Sequence, residues 1–351
     1  MSTFSATPNN LKTFIEVCLK KVGVPDENAA ITADALVYFE TVGLAYKGIN
    51  ELGLIIEEIK KGIIDPRARP MTMKESDTCI WVNGRNSIGH VVGKYCMKKA
   101  IDKATRYGLC IVSATGSNSY GSGSWYVEQA SNSGLLGFSF TNSECDIIPP
   151  NGTKCATGSN PITFSTPGVQ ENILLDMGLC TTALGKLMFY KEEMNPYWTL
   201  DANRKPAEDW QSAVYALPLG AAQKSSVKGF GLSLMVDILC GLLGGSDFGP
   251  YLYRRETRKT PPNIGHCFLV LNPGCFAPGF ESRQSNFLRK LRNLPPLEAE
   301  NPVKIPGDGK RISKQKIMNN GEITLSIEQV KLANSLADKL GVKLLQVRTL
   351  D

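Results

Sequence analysis

Histidine is nearly absent. The 351 residues contain two, His90 and His266. Neither stands near a plausible serine or cysteine nucleophile, so a Ser/His/Asp hydrolase gains no support, and both read as structural rather than catalytic. Ten cysteines are present, but no two form a CxxC pair, and the tightest gap, Cys267 to Cys275, is eight positions. With so few histidines beside them, a cysteine/histidine zinc site is not expected, and no metal is assigned. Several cysteines stand inside apolar runs (Leu109-Cys110-Ile111, Leu239-Cys240-Gly241), where they serve as small buried hydrophobes. No apolar run approaches the roughly 20 residues that span a bilayer. Nothing after Met1 reads as a signal peptide. A soluble, cytoplasmic protein without membrane association is expected.

The chain has ordinary globular composition, 42% hydrophobic and 21% charged, with a formal net charge of +6. Much of the excess lies between Arg283 and Arg292 and between Lys304 and Lys316. These stretches lack interleaved aromatics and any nucleic-acid motif, so they read as a solvated face, and no nucleic-acid partner is expected. A mild positive field suits an anionic cofactor or small-molecule substrate.

Helical spacing opens the chain. Leu11, Phe14, Ile15, Cys18 and Leu19 share one face until Gly23 stops the turn. Pro25-Asp26 opens a second helix, and a third begins near Asn50 and runs toward Gly62. The stiff connector Pro66–Pro70 then marks the end of a small helical domain near residue 70. Strands are expected at 79–82, 109–112, 136–140, 162–164, 173–175 and 267–271, with a helix from Val92 to a C-cap at Gly108. Gly231 to Leu243 reads as an apolar, fully buried helix. Ser326-Ile327-Glu328-Gln329 is a capping box whose helix ends at Gly341. This is a mixed α/β (α+β) chain without the strict alternation of a doubly wound sheet.

Chemistry-bearing segments follow the strands. Gly116-Ser117-Asn118-Ser119-Tyr120-Gly121-Ser122-Gly123-Ser124 is a Ser/Gly loop before a helix, a place where backbone amides could meet an anion. It has neither the lysine of a Walker A loop nor the GxGxxG spacing of a Rossmann fingerprint. Read alone, it is equally an ordinary turn. Thr141-Asn142-Ser143-Glu144 and Thr157-Gly158-Ser159-Asn160-Pro161 sit at strand edges. Asp176 is a lone carboxylate at a strand end, suited to a ribose or simply to capping. Lys228 stands just before the apolar helix, where an anion is welcome.

Taken in order, these segments resemble the malate/L-lactate dehydrogenase family, which includes ureidoglycolate and sulfolactate dehydrogenases and piperideine-2-carboxylate reductase. The telling stretches are Asn83-Gly84 through Lys94, Ser117–Gly121, Gly158–Pro161, Leu175-Asp176-Met177, Gly185-Lys186, Lys228–Leu232, Gly265–Leu269 and Pro306-Gly307. The resemblance implies a non-Rossmann NAD(P)-binding domain with a largely antiparallel seven-stranded sheet, flanked by an N-terminal helical domain, in a homodimer. It divides the chain into a helical domain over 1–70, joined by about 310–351, and a cofactor-binding domain over 71–309. By the same resemblance Ser143, Asp176, Met177, Gly178, Lys228, Gly307 and Asp308 fall on contacts to NAD or NADP, and Gly158, Ser159 and Asn160 line the same cleft.

The catalytic positions depart from that pattern. The family reads Asp-Ser-His-Gly, followed by an arginine for the substrate carboxylate. Here the histidine position holds Lys47, the serine position Tyr46 and the arginine position Glu51. The second family histidine is Ser119, followed by Tyr120. Loss of a general acid–base group costs about 10²–10⁴-fold in rate, and a carboxylate in place of the arginine repels a 2-oxo acid. Two readings follow. One is an NAD(P)-dependent oxidoreductase acting on a ketone or cyclic imine, with Lys47 or Tyr120 as substituted proton donor and Tyr46 and Glu51 meeting the substrate. The other is a cofactor-binding pseudoenzyme with a non-redox role.

Overall fold

The computed structural model describes residues 3–191, 195, 197–221, 225–255 and 259–350. After β1 (Thr3–Ala6) comes α1 (Pro8–Lys21), where Thr7 Oγ1 accepts the Asn10 amide at 3.1 Å and Pro8 supplies a ready φ for the first turn. Gly23, at φ +88°, takes the left-handed turn that releases the chain into α2 (Asp26–Thr41). A single 3-10 turn, Ala45–Lys47, leads into α3 (Asn50–Lys60). Next come β2 (Met71–Glu75), β3 (Cys79–Asn83), α4 (Gly89–Tyr107), β4 (Leu109–Ser117), α5 (Ser124–Asn132), β5 (Leu136–Thr141), β6 (Ile162–Thr166) and β7 (Ile173–Met177). Then follow α6 (Leu184–Tyr190), the two-residue strands β8 (Thr199–Leu200) and β9 (Tyr215–Ala216), α7 (Ser226–Asp237), a π-helical turn (Ile238–Leu242) and β10 (Ile264–Leu271). The chain closes with α8 (Phe280–Arg292), α9 (Asp308–Asn320), β11 (Ile323–Leu325), α10 (Ile327–Leu340) and β12 (Arg348–Leu350).

The large sheet has seven strands in the order β2-β3-β4-β10-β5-β6-β7. Its one parallel pair, β3 and β4, is joined across α4, because parallel neighbours need a crossover. The other pairs are antiparallel, as the resemblance implies. Alternation along β10 shows how the sheet is covered. Phe268 and Val270 pack with Val92, Cys96, Met97 and Tyr126 of α4 and α5, whereas Cys267 packs on the other side with Val236 and Cys240. A separate core joins α1, α2 and α3 to Ile323 and Leu325 of β11 and Val330, Ala333 and Ala337 of α10.

Two expectations change, and one sheet had no signal in the sequence. The apolar stretch 231–243 is helical but not fully buried. Within it Ile238 is 52% exposed and Leu242 54%, and Val227 one turn before it is 58%, so one stripe of this helix faces outward. The end strands β1, β11 and β12 form their own three-stranded sheet, which no period-2 pattern announces. The basic run is partly an ion-pair network rather than a solvated face: Arg292 pairs with Glu171 and Asp308, Lys310 with Asp176, and Lys314 with Glu128. No described helix is long and apolar enough to cross a membrane.

Candidate active site

The 3-10 turn and the first turn of α3 carry Tyr46, Lys47 and Glu51. The turn is fixed from beneath by Glu40 of α2, whose Oε1 accepts the Ile49 amide at 2.8 Å and the Gln329 side-chain amide at 3.1 Å. Burial pushes the Glu40 carboxyl up to about 7. A Cβ at Gly48 would stand 2.1 Å from Glu40 Oε1, so this close approach requires glycine. Tyr46 packs edge-on against Tyr190, and the Lys47 ammonium lies 5.6 Å from the Tyr46 ring centroid.

Glu51 is not a bare carboxylate. Arg255, from the segment before β10, donates Nη1 to Glu51 at 2.9 Å, and Nε and Nη2 to Glu58 at 2.9 and 2.6 Å. All three side chains are largely buried. The Glu51 carboxyl is held below its ordinary range: burial opposes this, but the Lys47 and Arg255 charges and the Arg255 hydrogen bond outweigh it. The expected repulsion of an anionic substrate is therefore that of a compensated cluster, with two carboxylates set against Arg255 and Lys47.

These groups border a small enclosed space, lined by Glu51, Glu58, Arg255, His90, Ser119 and Gly121 among others. Its volume of about 10 Å³ is that of one water molecule. The Ser/Gly loop closes one side. Asn118 anchors it by donating to Ser87 O at 2.9 Å and Asn86 Oδ1 at 3.0 Å, leaving Ser119 exposed at the rim. Opposite stands His90, on the first turn of α4 and 2% exposed. Neither of its ring nitrogens has a hydrogen-bond partner among the described residues. Burial and the nearby Lys47 and Arg255 cations push it down to about 4, while Glu51 acts the other way.

Tyr120 does not join this group. It is 1% exposed, stacked between Tyr126 (4.8 Å) and His266 (4.6 Å), with its hydroxyl 3.0 Å from Ser139. Burial raises its phenol well above the usual range. The alternation that turns Ser119 outward turns Tyr120 into the core. His266 is structural as expected, bonded to Thr141 at 2.8 Å and Ser117 at 2.7 Å.

The residues assigned to the cofactor form two adjoining groups. In the first, Ser143 Oγ lies 3.3 Å from Ser159 Oγ, and the Ser143 amide donates to Asn160 Oδ1 at 3.0 Å. Gly158 O accepts from Ser233 of α7 at 3.1 Å, and Ser159 O accepts the Leu179 amide at 2.7 Å, next to Gly178. A Cβ at Gly158 would meet Ser143 O at 2.4 Å, so only glycine allows these loops to touch. Lys228 stands exposed in the first turn of α7. In the second group, Asp176 is far from lone: Oδ1 accepts from Thr163 at 3.1 Å, and Oδ2 accepts from Ser122 and Lys310, both at 2.6 Å. Met177 follows at the strand end, half-buried. Gly307, at φ +101°, packs on Leu174 of the same strand, and Asp308 binds Arg292 at 2.7 Å, Arg311 at 2.9 Å and the Ile305 amide at 2.9 Å. Asp176 lies within electrostatic reach of Tyr46, which links this edge to the turn bearing Lys47.

A family model described as malate/L-lactate dehydrogenase matches residues 6–332. The chain belongs to the malate/L-lactate dehydrogenase family. It is 30% identical to a malate dehydrogenase of Pyrococcus abyssi, over 97% of this chain and 96% of that one. It is 30% identical to the NAD(+) ureidoglycolate dehydrogenase of Escherichia coli strain K12, over 93% and 94% of the two chains. The solved malate dehydrogenase of Pyrococcus horikoshii superposes with a TM-score of 0.90 at 29% identity, covering 98% and 97%.

Arg255, Glu58, His90 and Lys310 are the site residues that sequence reasoning missed. Arg255 and Lys310 lie far along the chain from the carboxylates they serve, and a lone histidine at a helix start gives no signal of its own.

Proposed function

We propose that this chain is a nicotinamide-dependent oxidoreductase, moving a hydride between NAD(H) or NADP(H) and a ketone or cyclic imine, or their reduced forms, rather than malate or lactate. The observation that carries this reading is the Glu51–Arg255–Glu58 cluster. A guanidinium already engaged by two carboxylates is a poor receptor for a third. Neutral and cationic substrates do not need that receptor. The donor set fits the cofactor. Lys228 and the first turn of α7 suit a pyrophosphate, the Ser143 and Ser159 hydroxyls suit phosphate or amide groups, and Asp176 suits a ribose hydroxyl. When bound, the nicotinamide ring supplies the hydride acceptor or donor. The chain's own residues hold it and border the reacting group, with Lys47 standing where the family carries its first histidine.

A second reading, cofactor binding without turnover, draws support from the one-water size of the enclosed space beside these residues. Titration with NADH and NADPH by fluorescence, then a turnover screen over 2-oxo acids, neutral ketones and cyclic imines, separates the two. Turnover confined to ketones or imines supports the first reading. Binding without turnover supports the second, and failure to bind either nucleotide rejects both.

The division into 1–70 with 310–351, against 71–309, and assembly as a homodimer belong to the same proposal. The outward stripe Val227, Ile238 and Leu242 is a suitable face for a second copy. Ile238→Glu with Leu242→Glu is then expected to yield monomers in sedimentation velocity.

A further inference from the structure

Two groups that the family pattern carries at positions 51 and 119 are present in this pocket on other residues. The guanidinium comes from Arg255 and an imidazole comes from His90. His90 has the features of an acting group rather than of packing. It is buried, both ring nitrogens lack partners among the described residues, and it borders the enclosed space shared with Glu51, Ser119 and Arg255. His266, the other histidine, has both nitrogens engaged. The Nε2 edge of His90 looks toward the Ser/Gly loop: a Cβ at Gly121 would stand 3.1 Å from it and 2.3 Å from Phe39, so glycine lets the loop close on both rings. Ser119 at the rim is small and exposed, and the space beside it has the volume of one water.

We propose that His90 is the proton-exchanging group of this pocket. As the hydride leaves the substrate carbon for oxidised nicotinamide, the substrate O–H bond breaks and its proton passes through one water beside Ser119 to His90 Nε2. The C=O bond forms, and reduction runs the same path backward. This role rests on the proposed hydride-transfer reaction.

The charged and titratable groups facing the ring are Glu51 and Glu58 of α3, Lys47 of the preceding turn, Arg255 before β10, and His266 of β10. Lys47, Arg255 and burial hold the ring neutral at pH 7, ready to accept a proton, so oxidation is nearly level with pH above about 5. Reduction needs the protonated ring and climbs as pH falls toward about 4. A neutral Gln removes that dependence.

The test joins kinetics to a binding-free readout. With two histidines in the chain, imidazole-labelled protein gives two sets of NMR signals, assigned through His90→Gln. His90 is expected to titrate well below 6.5 and to move upward in Lys47→Met, with His266 little changed. His90→Gln and His90→Asn are each expected to lose about 10²–10⁴-fold in kcat and to flatten the pH profile of reduction. Turnover by His90→Gln within threefold of wild type, with the wild-type pH profile, overturns the role of His90 and leaves the reaction standing. A wild-type protein that binds NADH but turns over no screened substrate overturns the reaction and this role together. A His90 titration near 6.5 that ignores Lys47→Met refutes the charge arrangement, whatever the kinetics.

Discussion

Replacing Arg255 by Met tests whether the Glu51 substitution is compensated or merely tolerated. The change keeps most of the aliphatic stem but removes three charge-assisted hydrogen bonds, at 2.9, 2.9 and 2.6 Å. It leaves Glu51 and Glu58, both largely buried, without the cation that neutralised them. Breaking such a buried arrangement from one side costs about 3–5 kcal/mol at pH 7. For a 351-residue chain that corresponds to a fall in Tm of about 4–7 °C. The sign with pH follows from Glu51. In wild type its carboxyl is held below the usual range, so its contribution is present above the unfolded value near 4.5 and lost as pH falls through the lower folded value. In Arg255→Met the same carboxyl loses its cation and takes up a proton more readily. The gap between variant and wild type therefore narrows in acid. Scanning calorimetry at pH 7.5 and pH 4 measures both gaps, and adding Glu51→Gln to the variant should recover part of the loss. A Tm unchanged at pH 7.5, or a gap that widens in acid, would refute the compensated cluster.

Three further outcomes are expected. Glu40, raised from 4.5 to about 7, stabilises the fold fully below pH 4.5 and loses that contribution as pH rises through 7. Glu40→Gln should therefore be more stable than wild type at pH 8.5, by up to about 3 kcal/mol, and no more stable at pH 5. Thermal melts at the two pH values decide this. Tyr120→Phe should leave kcat within twofold, because the hydroxyl meets Ser139 in the core, and should cost about 1 kcal/mol in denaturant melts. A large loss of kcat would return Tyr120 to the active site. Asp176→Asn should weaken NADH binding about tenfold, an effect of roughly 1.4 kcal/mol, by removing a carboxylate held by Ser122, Thr163 and Lys310. An unchanged Kd in fluorescence titration would exclude Asp176 from the cofactor contact.

Features written locally were legible in the sequence. The capping box at Ser326 and Gln329 forms with both of its bonds, at 3.2 and 3.0 Å, because the residues that satisfy each other stand three apart. The helices of the N-terminal unit follow from spacing in the same way, as do the buried strands of the large sheet. Features that depend on remote partners were not. Arg255 and Glu51 are 204 positions apart, and either residue alone reads as a surface charge. Asp176 looks isolated because its partners lie at 122, 163 and 310. Tyr120 and Ser119 are neighbours whose side chains part company at the sheet edge, so a motif match at both positions could not say which one faces the pocket.

The placement of β1 between β11 and β12 governs the order in which the molecule can be completed. Thr3 lies opposite Leu350 and Phe4 opposite Leu325, so β1 is made more than 300 residues before the segments that become its neighbours. Helices α1 to α3 likewise emerge early, yet their core includes Ile323, Leu325 and Val330. The turn bearing Lys47 is further braced by Gln329 through Glu40. The large sheet, whose strands end at Leu271, can pair before then. Synthesis therefore favours a large sheet that matures first, with the turn beside Glu51 braced only once β11 and α10 have been made. Until then the apolar faces of α1 to α3 lack the partners that bury them.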